Sequence, residues 1–162
     1  MPLKPVVLIY DLDNALVDEV ATLLGSSGRF TTINTYNESN AMEVVQQYDR
    51  LFGLLTNRLS CIITGWNNYK KRRDQFLFRL RQSEGKSPLR KPTPVIVITE
   101  DHLEDLKRIA LDPTDGNVAA YLHVDDFSAE LMDILHKIVF EDKSRELNSI
   151  AYAQVMQEAA RD

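Results

Sequence analysis

The sequence of 162 residues lacks the features that mark disulfide-stabilised, secreted and membrane proteins. Its single cysteine, Cys61, excludes an intramolecular disulfide, and because it lies in an apolar run we expect a buried, unreactive thiol. No apolar run approaches the roughly 20 residues that a helix needs to cross a bilayer. The apolar run at residues 6–10 is short and no small-residue cleavage site follows it, so no secretory signal is expected. These absences predict a cytoplasmic protein that does not contact a membrane.

A strong excess of charge of one sign is also missing. The 24 acidic and 19 basic side chains give a net charge of -5, so the chain lacks the overall positive field typical of nucleic-acid binding. One basic stretch runs against this balance at residues 70–73, and further Lys and Arg residues follow it between positions 79 and 91. A solvated helix face and loop is the simpler interpretation, and a docking patch for an acidic partner is the alternative.

Patterns that mark common ligand sites are scarce as well. The histidines His102, His123 and His136 are scattered, and Cys61 has no second ligand near it in the sequence, so no zinc pattern is present. No Gly-rich loop precedes a helix, which leaves dinucleotide binding unsupported. No Ser–His–Asp grouping can be argued from the sequence alone.

What the sequence does contain is an alternation of strand and helix patterns. Short apolar runs rich in Val, Ile, Thr and Tyr predict strands at residues 6–10, 30–36, 59–64, 94–99 and 118–124. Three of these runs are apolar without alternation, which is typical of parallel strands that helices cover on both faces.

Apolar residues at helical spacing predict a helix after each strand. The first helix is expected to end near Gly25 or Gly28, and the second and fifth to begin at the caps Ser39 and Ser128. The right-handed crossover rule then predicts an α/β protein, a flavodoxin-like three-layer α/β/α sandwich with a five-stranded parallel sheet in the order 2-1-3-4-5. We assign residues 1–140 to this domain and residues 141–162 to a C-terminal helical extension.

Acidic residues follow the first and last predicted strands. Asp11 and Asp13 end the first strand, and Asp125 and Asp126 follow the fifth. Two carboxylates at positions i and i+2 can project to the same side of an extended segment, where they could hold a hard cation such as Mg²⁺. A loop of solvated acidic residues without a metal is the alternative for Asp11 and Asp13.

At these positions the sequence resembles the receiver domain of two-component response regulators. The resemblance covers roughly residues 5–140 and is strongest over residues 93–101, 103–106, 119–122 and 125–131. Gly65-Trp66-Asn67 falls where receivers carry the segment of the phosphate-accepting aspartate. Thr99 matches the family's switch hydroxyl, and Tyr121 lies close to its switch aromatic. A strand-end hydroxyl and a half-buried aromatic are the plainer interpretation of these two residues.

The chain departs from receivers at the positions that carry their chemistry. Gly65 occupies the phosphoacceptor position, Leu12 replaces the second residue of the acidic pair, and Asp125 stands where the family has a lysine. Aspartyl phosphorylation needs a carboxylate nucleophile, a metal and a cation for the developing charge. The resemblance therefore implies a degenerate receiver, or pseudo-receiver, that is not an enzyme and requires no cofactor. Mg²⁺ at Asp11 and Asp13 is the one metal site that the sequence suggests.

The first strand and the loop after it also resemble the first motif of haloacid dehalogenase-like phosphatases. That resemblance implies a Mg²⁺-dependent phosphatase with Asp11 as nucleophile, Asp13 as general acid/base, Thr64 as second-motif hydroxyl, Lys86 or Lys91 as lysine and Asp125-Asp126 as metal ligands. Asn14-Ala15 in place of the usual Gly-Thr, and the position of Lys91 directly before a strand, argue against it.

The C-terminal extension is predicted to be helical from residue 145 onward. Its apolar stripe should bury against something, because an isolated helix of this length is marginally stable. It could pack on its own domain, or form a homodimer seam or a docking surface for a partner. By the resemblance to receivers we expect a signalling partner, a histidine kinase or an output protein, and a possible homodimer through the fourth and fifth helices or the C-terminal helix.

Overall fold

The computed structural model describes residues 4–50, 58–66, 74–86 and 91–161. The basic stretch at residues 70–73 and Asn67 lie outside the described residues. The strands are β1 (Val6–Tyr10), β2 (Thr31–Thr35), β3 (Leu59–Thr64), β4 (Val95–Thr99) and β5 (Ala120–His123). The helices are α1 (Asn14–Ser27), α2 (Glu38–Arg50), α3 (Asp74–Gly85), α4 (Glu104–Leu111), α5 (Leu131–Glu141) and α6 (Ser144–Arg161).

The five strands form one parallel sheet in the order β2-β1-β3-β4-β5, as the sequence predicts. Residues of the central strands alternate between two apolar clusters. Val7, Ile9 and Ile63 join the cluster that packs against α1 and α5. Leu8 and Ile62 join the cluster that packs against α2, α3, α4 and α6. The sheet is therefore the middle layer of a three-layer sandwich, which explains why its central strands β1, β3 and β4 are apolar without alternation.

The end of α1 and the turn before β5 both depend on glycine. Gly28 has a φ of 69° and its N–H donates to the Gly25 carbonyl, so the helix ends there in the left-handed conformation. At Gly116 a Cβ atom would lie 2.5 Å from the Ala110 carbonyl oxygen, so only glycine lets this turn pack against α4.

Cys61 is fully buried, and burial raises the pKa of its thiol to about 12, as expected for an unreactive cysteine.

The two predicted serine caps are wrong. Helix α2 begins at Glu38, and the Asn37 side chain accepts a hydrogen bond from the Asn40 N–H at 2.8 Å, so asparagine is the residue that satisfies its first turn. The segment Phe127–Ala129 forms one turn of 3₁₀ helix, and α5 starts only at Leu131. Phe127 is buried in the core and belongs to this 3₁₀ turn, so the α-helix begins only after the turn.

Helix α6 packs on its own domain. It contacts α4 and β5, and Val155 is buried in the same cluster as Ala110 and Leu111 of α4. Asn148 is 4% exposed, and its Nδ2 donates to the carbonyls of Leu111 (2.8 Å) and Val118 (2.6 Å). One side-chain amide thus links α6 to the end of α4 and to the segment that leads into β5.

No described helix is long and apolar enough to cross a membrane.

Candidate functional site at the carboxyl edge of the sheet

The carboxyl ends of β1, β3, β4 and β5 lie along one edge of the sheet, which we call the carboxyl edge. Tyr10 is in register with Thr64, so Asp11 and Gly65, the next residue of each strand, are neighbours at this edge. Thr99 ends β4 opposite His123 of β5. The topology thus brings together the strand ends that carry the predicted site, as expected for a doubly wound sheet.

Asp11 is a buried carboxylate, 2% exposed. Its Oδ1 accepts a hydrogen bond from the Asp13 N–H at 2.8 Å, and its own N–H reaches the Thr35 carbonyl at 3.5 Å. Because so little of Asp11 reaches solvent, the interpretation of a freely solvated acidic loop does not fit this residue. Its carboxylate is held by the turn that follows β1.

Asp13 has a structural task at the start of α1. Its Oδ1 accepts hydrogen bonds from the N–H groups of Ala15 (3.0 Å) and Leu16 (3.3 Å), so it is the N-cap of that helix. The carboxylate therefore satisfies two backbone donors that the helix leaves open. Both capping bonds are made by the single oxygen Oδ1.

Gly65 is a buried backbone position at the end of β3. Its N–H donates to the Tyr10 carbonyl at 3.2 Å, which continues the β1–β3 ladder by one residue. Trp66, directly after it, is 5% exposed and packs in the cluster that contains Tyr10 and Phe76. The position after β3 is thus filled by backbone, followed by a buried indole.

Thr99 and Tyr121 lie on the neighbouring strands β4 and β5. The fully buried Thr99 hydroxyl accepts a hydrogen bond from the Asp101 N–H at 3.1 Å, which stabilises the turn after β4. Burial raises the pKa of the Tyr121 phenol above its ordinary value; the Thr99 hydroxyl lowers it and the carboxylates of Asp101 and Glu104 raise it further. The Tyr121 hydroxyl is buried, and no described residue forms a hydrogen bond of ordinary length with it, although the Thr99 hydroxyl is near enough to lower its pKa. Thr99 is the last residue of β4, whereas Tyr121 is the second residue of β5 and lies opposite Val97.

Asp125 lies in the loop after β5 with 81% of its side chain exposed. Its Oδ2 is 3.2 Å from Nδ1 of His123, and its N–H also reaches that nitrogen at 3.2 Å. The ring of His123 stacks on that of His102, with centroids 4.0 Å apart. The structure therefore brings together two histidines that are scattered in the sequence, and the spacing of the residues gave no signal for this pairing.

The residues required by the phosphatase interpretation do not assemble. Thr64 lies at the carboxyl edge, where its buried hydroxyl donates to the Gly65 carbonyl. Lys86 follows the end of α3, and Lys91 precedes β4. Because α3 returns the chain from the carboxyl edge to the start of β4, both lysines lie at the opposite edge of the sheet from Asp11. The prediction that Lys86 or Lys91 is the phosphatase lysine is therefore wrong.

The fold is similar to that of several solved receiver domains. The signal receiver domain of an HD domain-containing protein from Pseudomonas fluorescens Pf-5 aligns with a TM-score of 0.66 at 17% identity, covering 90% of this chain and 94% of that one. The receiver domain of the Francisella response regulator 1452 aligns with a TM-score of 0.64 at 19% identity, covering 86% and 100%. A response regulator receiver domain protein from Clostridium thermocellum aligns with a TM-score of 0.63 at 14% identity, covering 86% and 97%.

No protein-family model matches the sequence. No curated protein matches it either. The likeness therefore resides in the three-dimensional arrangement, with strand order 2-1-3-4-5 and near-complete coverage of each of the three solved domains. The chain has the fold of response regulator receiver domains.

Proposed function

We propose that this protein is a signalling component of the two-component type that uses the receiver fold without accepting phosphate and acts through contacts with other proteins. The observation that carries the proposal is Gly65. It stands beside Asp11 at the end of β3, buried and hydrogen-bonded through its backbone to Tyr10. A glycine has no carboxylate with which to attack phosphorus.

The charge around this position supports the same conclusion. Transfer of a phosphoryl group requires a cation at the developing negative charge. Asp125 stands at the receiver lysine position, and its exposed carboxylate lies beside His123. A phosphoryl group at Gly65 would therefore meet the negative charge of Asp11 without a nucleophile at its own position. Mg²⁺ is not required by this proposal; if it binds here, Asp11 and Asp13 are the ligands that we expect.

The contact surface is proposed to involve α6. In this fold α4, β5 and α5 are available for protein contacts when nothing follows them. Here α6 covers part of α4 and β5, fixed by the Asn148 amide. Ile150 and Met156 on α6 remain 59% and 42% exposed. A kinase, an output protein or a second copy of the chain would therefore meet α6 first, which favours the C-terminal helix over α4 and α5 as the homodimer contact.

Treatment with acetyl phosphate and Mg²⁺, followed by intact-mass measurement, tests the loss of phosphate acceptance. We expect no phosphoryl adduct on the wild-type chain. The matched variant carries Leu12→Asp, Gly65→Asp and Asp125→Lys, which replace the three departures by the residues of the receiver pattern. We expect this variant to gain one phosphoryl adduct. A stoichiometric, base-labile phosphoryl adduct on the wild-type chain would contradict the proposal.

Hydrolysis of a generic phosphomonoester tests the enzymatic alternative in the same preparation. We expect no turnover above background with Mg²⁺, because no described lysine joins Asp11 at the carboxyl edge. Turnover that disappears in Asp11→Asn would establish a phosphatase instead. Asp18→Asn, an exposed acidic residue of α1, is the matched control for loss of one negative charge.

A further inference from the structure

Three side chains that could bind a metal converge at the carboxyl edge, apart from Asp11 and Gly65. His102 belongs to the loop between β4 and α4, His123 ends β5, and Asp125 lies in the loop after it. One ligand atom from each of the three lies within 4.8 Å of the other two. They are the one such group of three among the residues that the structure describes.

The hydrogen bonds of His123 indicate which of its nitrogens is available to a metal. Nε2 lies 3.1 Å from the Glu100 carbonyl oxygen, an acceptor, so Nε2 carries the hydrogen. Nδ1 then has the lone pair, which agrees with the N–H of Asp125 pointing at it. A histidine that donates one N–H to a backbone carbonyl and keeps the lone pair on its other nitrogen has the arrangement that orients metal ligands in proteins. Here a metal at Nδ1 would replace the hydrogen bond from the Asp125 N–H.

The separation of His123 and Asp125 fits a shared cation. The lone pair on Nδ1 lies 3.2 Å from Asp125 Oδ2. Two acceptor atoms at this distance repel unless a proton or a cation lies between them. Zinc–nitrogen and zinc–oxygen bonds of about 2.0–2.2 Å at a tetrahedral angle place two ligand atoms about 3.4 Å apart. The observed pair is therefore already close to the edge of a zinc coordination tetrahedron.

His102 can complete the set by rotating its side chain. Its ring stacks on that of His123 with centroids 4.0 Å apart and an angle of 18° between the planes, so its nitrogens lie above the same region. The side chain is exposed, and turning it toward Asp125 would exchange the ring stack for a metal bond. Two imidazoles and one carboxylate favour zinc and similar transition metals over Mg²⁺ or Ca²⁺.

We propose that His102, His123 and Asp125 form a binding site for a divalent transition-metal ion of the zinc class, with solvent in the remaining coordination position. The ion would connect the β4–α4 loop to the β5–α5 loop. It would also neutralise negative charge at the position where receivers carry a lysine. The proposal does not rest on the proposed signalling function, because it is argued from the geometry of His102, His123 and Asp125 alone. Asp125 is the one residue that both proposals use.

Calorimetric titration of the full chain with Zn²⁺ tests the site, and Co²⁺ titration followed by visible absorption reports its geometry. We expect one ion per chain and a Co²⁺ spectrum typical of four-coordinate nitrogen and oxygen ligation. His102→Ala, His123→Ala and Asp125→Asn should each weaken Zn²⁺ binding at least about tenfold. His136→Ala removes a histidine of α5 that lies outside the site and should change the affinity by less than about twofold.

His102→Ala and Asp125→Asn change exposed side chains, so their effect is measurable even if His123→Ala fails to fold. The proposal is overturned if the wild-type chain takes up no Zn²⁺ at about 100 μM, a concentration well above the dissociation constants of functional zinc sites. It is also overturned if binding survives all three substitutions, or if His136→Ala weakens it as much as they do. Mg²⁺ at the same concentration should not displace Co²⁺.

Discussion

The two edges of the sheet use their polar groups in different ways. The amino edge, where α3 ends and β4 and β5 begin, is held by a buried ion pair. Arg81 donates from Nε to the Gly116 carbonyl (2.9 Å), from Nη1 to the Thr93 carbonyl (2.9 Å) and Glu84 (2.7 Å), and from Nη2 to the Asn117 carbonyl (3.2 Å). Glu84, 5% exposed, also accepts from the Thr93 N–H at 2.6 Å. One guanidinium thus satisfies three backbone carbonyls and a carboxylate.

At the carboxyl edge, buried polar groups are left without such partners. The indole N–H of Trp66 and the hydroxyl of Tyr121 are buried, and no described residue accepts or donates a hydrogen bond to them. An unpaired buried polar group costs free energy that a paired one does not. Among the described residues, the amino edge pairs its buried polar groups, whereas the carboxyl edge leaves two of them without a hydrogen bond of ordinary length. Such unpaired groups concentrate at functional sites.

The largest effect is expected from removing the guanidinium at the amino edge. Arg81→Ala leaves the Glu84 carboxylate buried without its cation and three carbonyls without their donor, and should lower the free energy of unfolding by about 3–5 kcal/mol. Urea denaturation measures this loss. Arg79→Ala is the control: that side chain is 59% exposed and its ion pair with Glu38 should contribute less than about 1 kcal/mol. Similar losses for the two variants would remove the contrast between the edges.

A smaller effect is expected at the attachment of α6. Asn148→Ala takes the only described side-chain donor from the buried Leu111 and Val118 carbonyls, and should cost about 2–3 kcal/mol. Hydrogen exchange should rise first in α6 and α4, because these elements lose their link. Asn40→Ala, at an exposed position of α2, should change neither quantity measurably. If Asn148→Ala left the exchange of α6 unchanged, the amide would not be what holds this helix.

The smallest effect is expected at the carboxyl edge itself. Tyr121→Phe removes a buried hydroxyl that has no described partner, so the free energy of unfolding should change by less than about 1 kcal/mol in either direction. Thr35→Val is the matched contrast, because its buried hydroxyl donates to the Ile9 carbonyl at 2.9 Å and should cost about 1–2 kcal/mol. A larger loss for Tyr121→Phe than for Thr35→Val would mean that the phenol is paired after all.

The same variant has a dependence on pH. Because folding raises the pKa of Tyr121, the native chain holds this proton more tightly than the unfolded chain. Its contribution to stability is fully present below the ordinary tyrosine pKa of 10.0 and is lost as the pH rises above that value. Denaturation of wild type and Tyr121→Phe at increasing pH above this point should show a steeper loss for the wild type. Parallel curves would contradict the assigned shift.

Much of the fold follows from the sequence alone. β1 and β3 have the predicted bounds, because Pro5 and Asp11 bound the first apolar run and Arg58 and Gly65 bound the third. β5 is shorter than the predicted 118–124: Val118 donates to the Ala110 carbonyl of α4 before the strand begins. The cap positions at Ser39 and Ser128 were wrong because a stronger cap, Asn37, and a buried aromatic, Phe127, lie nearby.

The site was predictable only where it follows from strand order. Asp11 and Gly65 are neighbours because parallel strands end at one edge, which the sequence implies. Asp13 caps α1 through one carboxylate oxygen. This role depends on local backbone geometry, which the spacing of residues in the sequence does not determine. The contact of His102 with His123 depends on the register of β4 against β5 and on the path of two loops. Long-range register of this kind leaves no periodic signal in the chain.

Fluorine NMR with beryllofluoride and Mg²⁺ is the most direct test of the central claim, that the end of β3 offers nothing to which a phosphoryl group can be attached. Beryllofluoride coordinates an aspartate carboxylate in place of phosphate, so the wild-type chain with Gly65 should give only the signals of free beryllofluoride, at any protein concentration. A phosphate-accepting receiver domain measured in parallel should give bound signals. A bound signal on the wild-type chain that requires Mg²⁺ and disappears in Asp11→Asn would contradict the account.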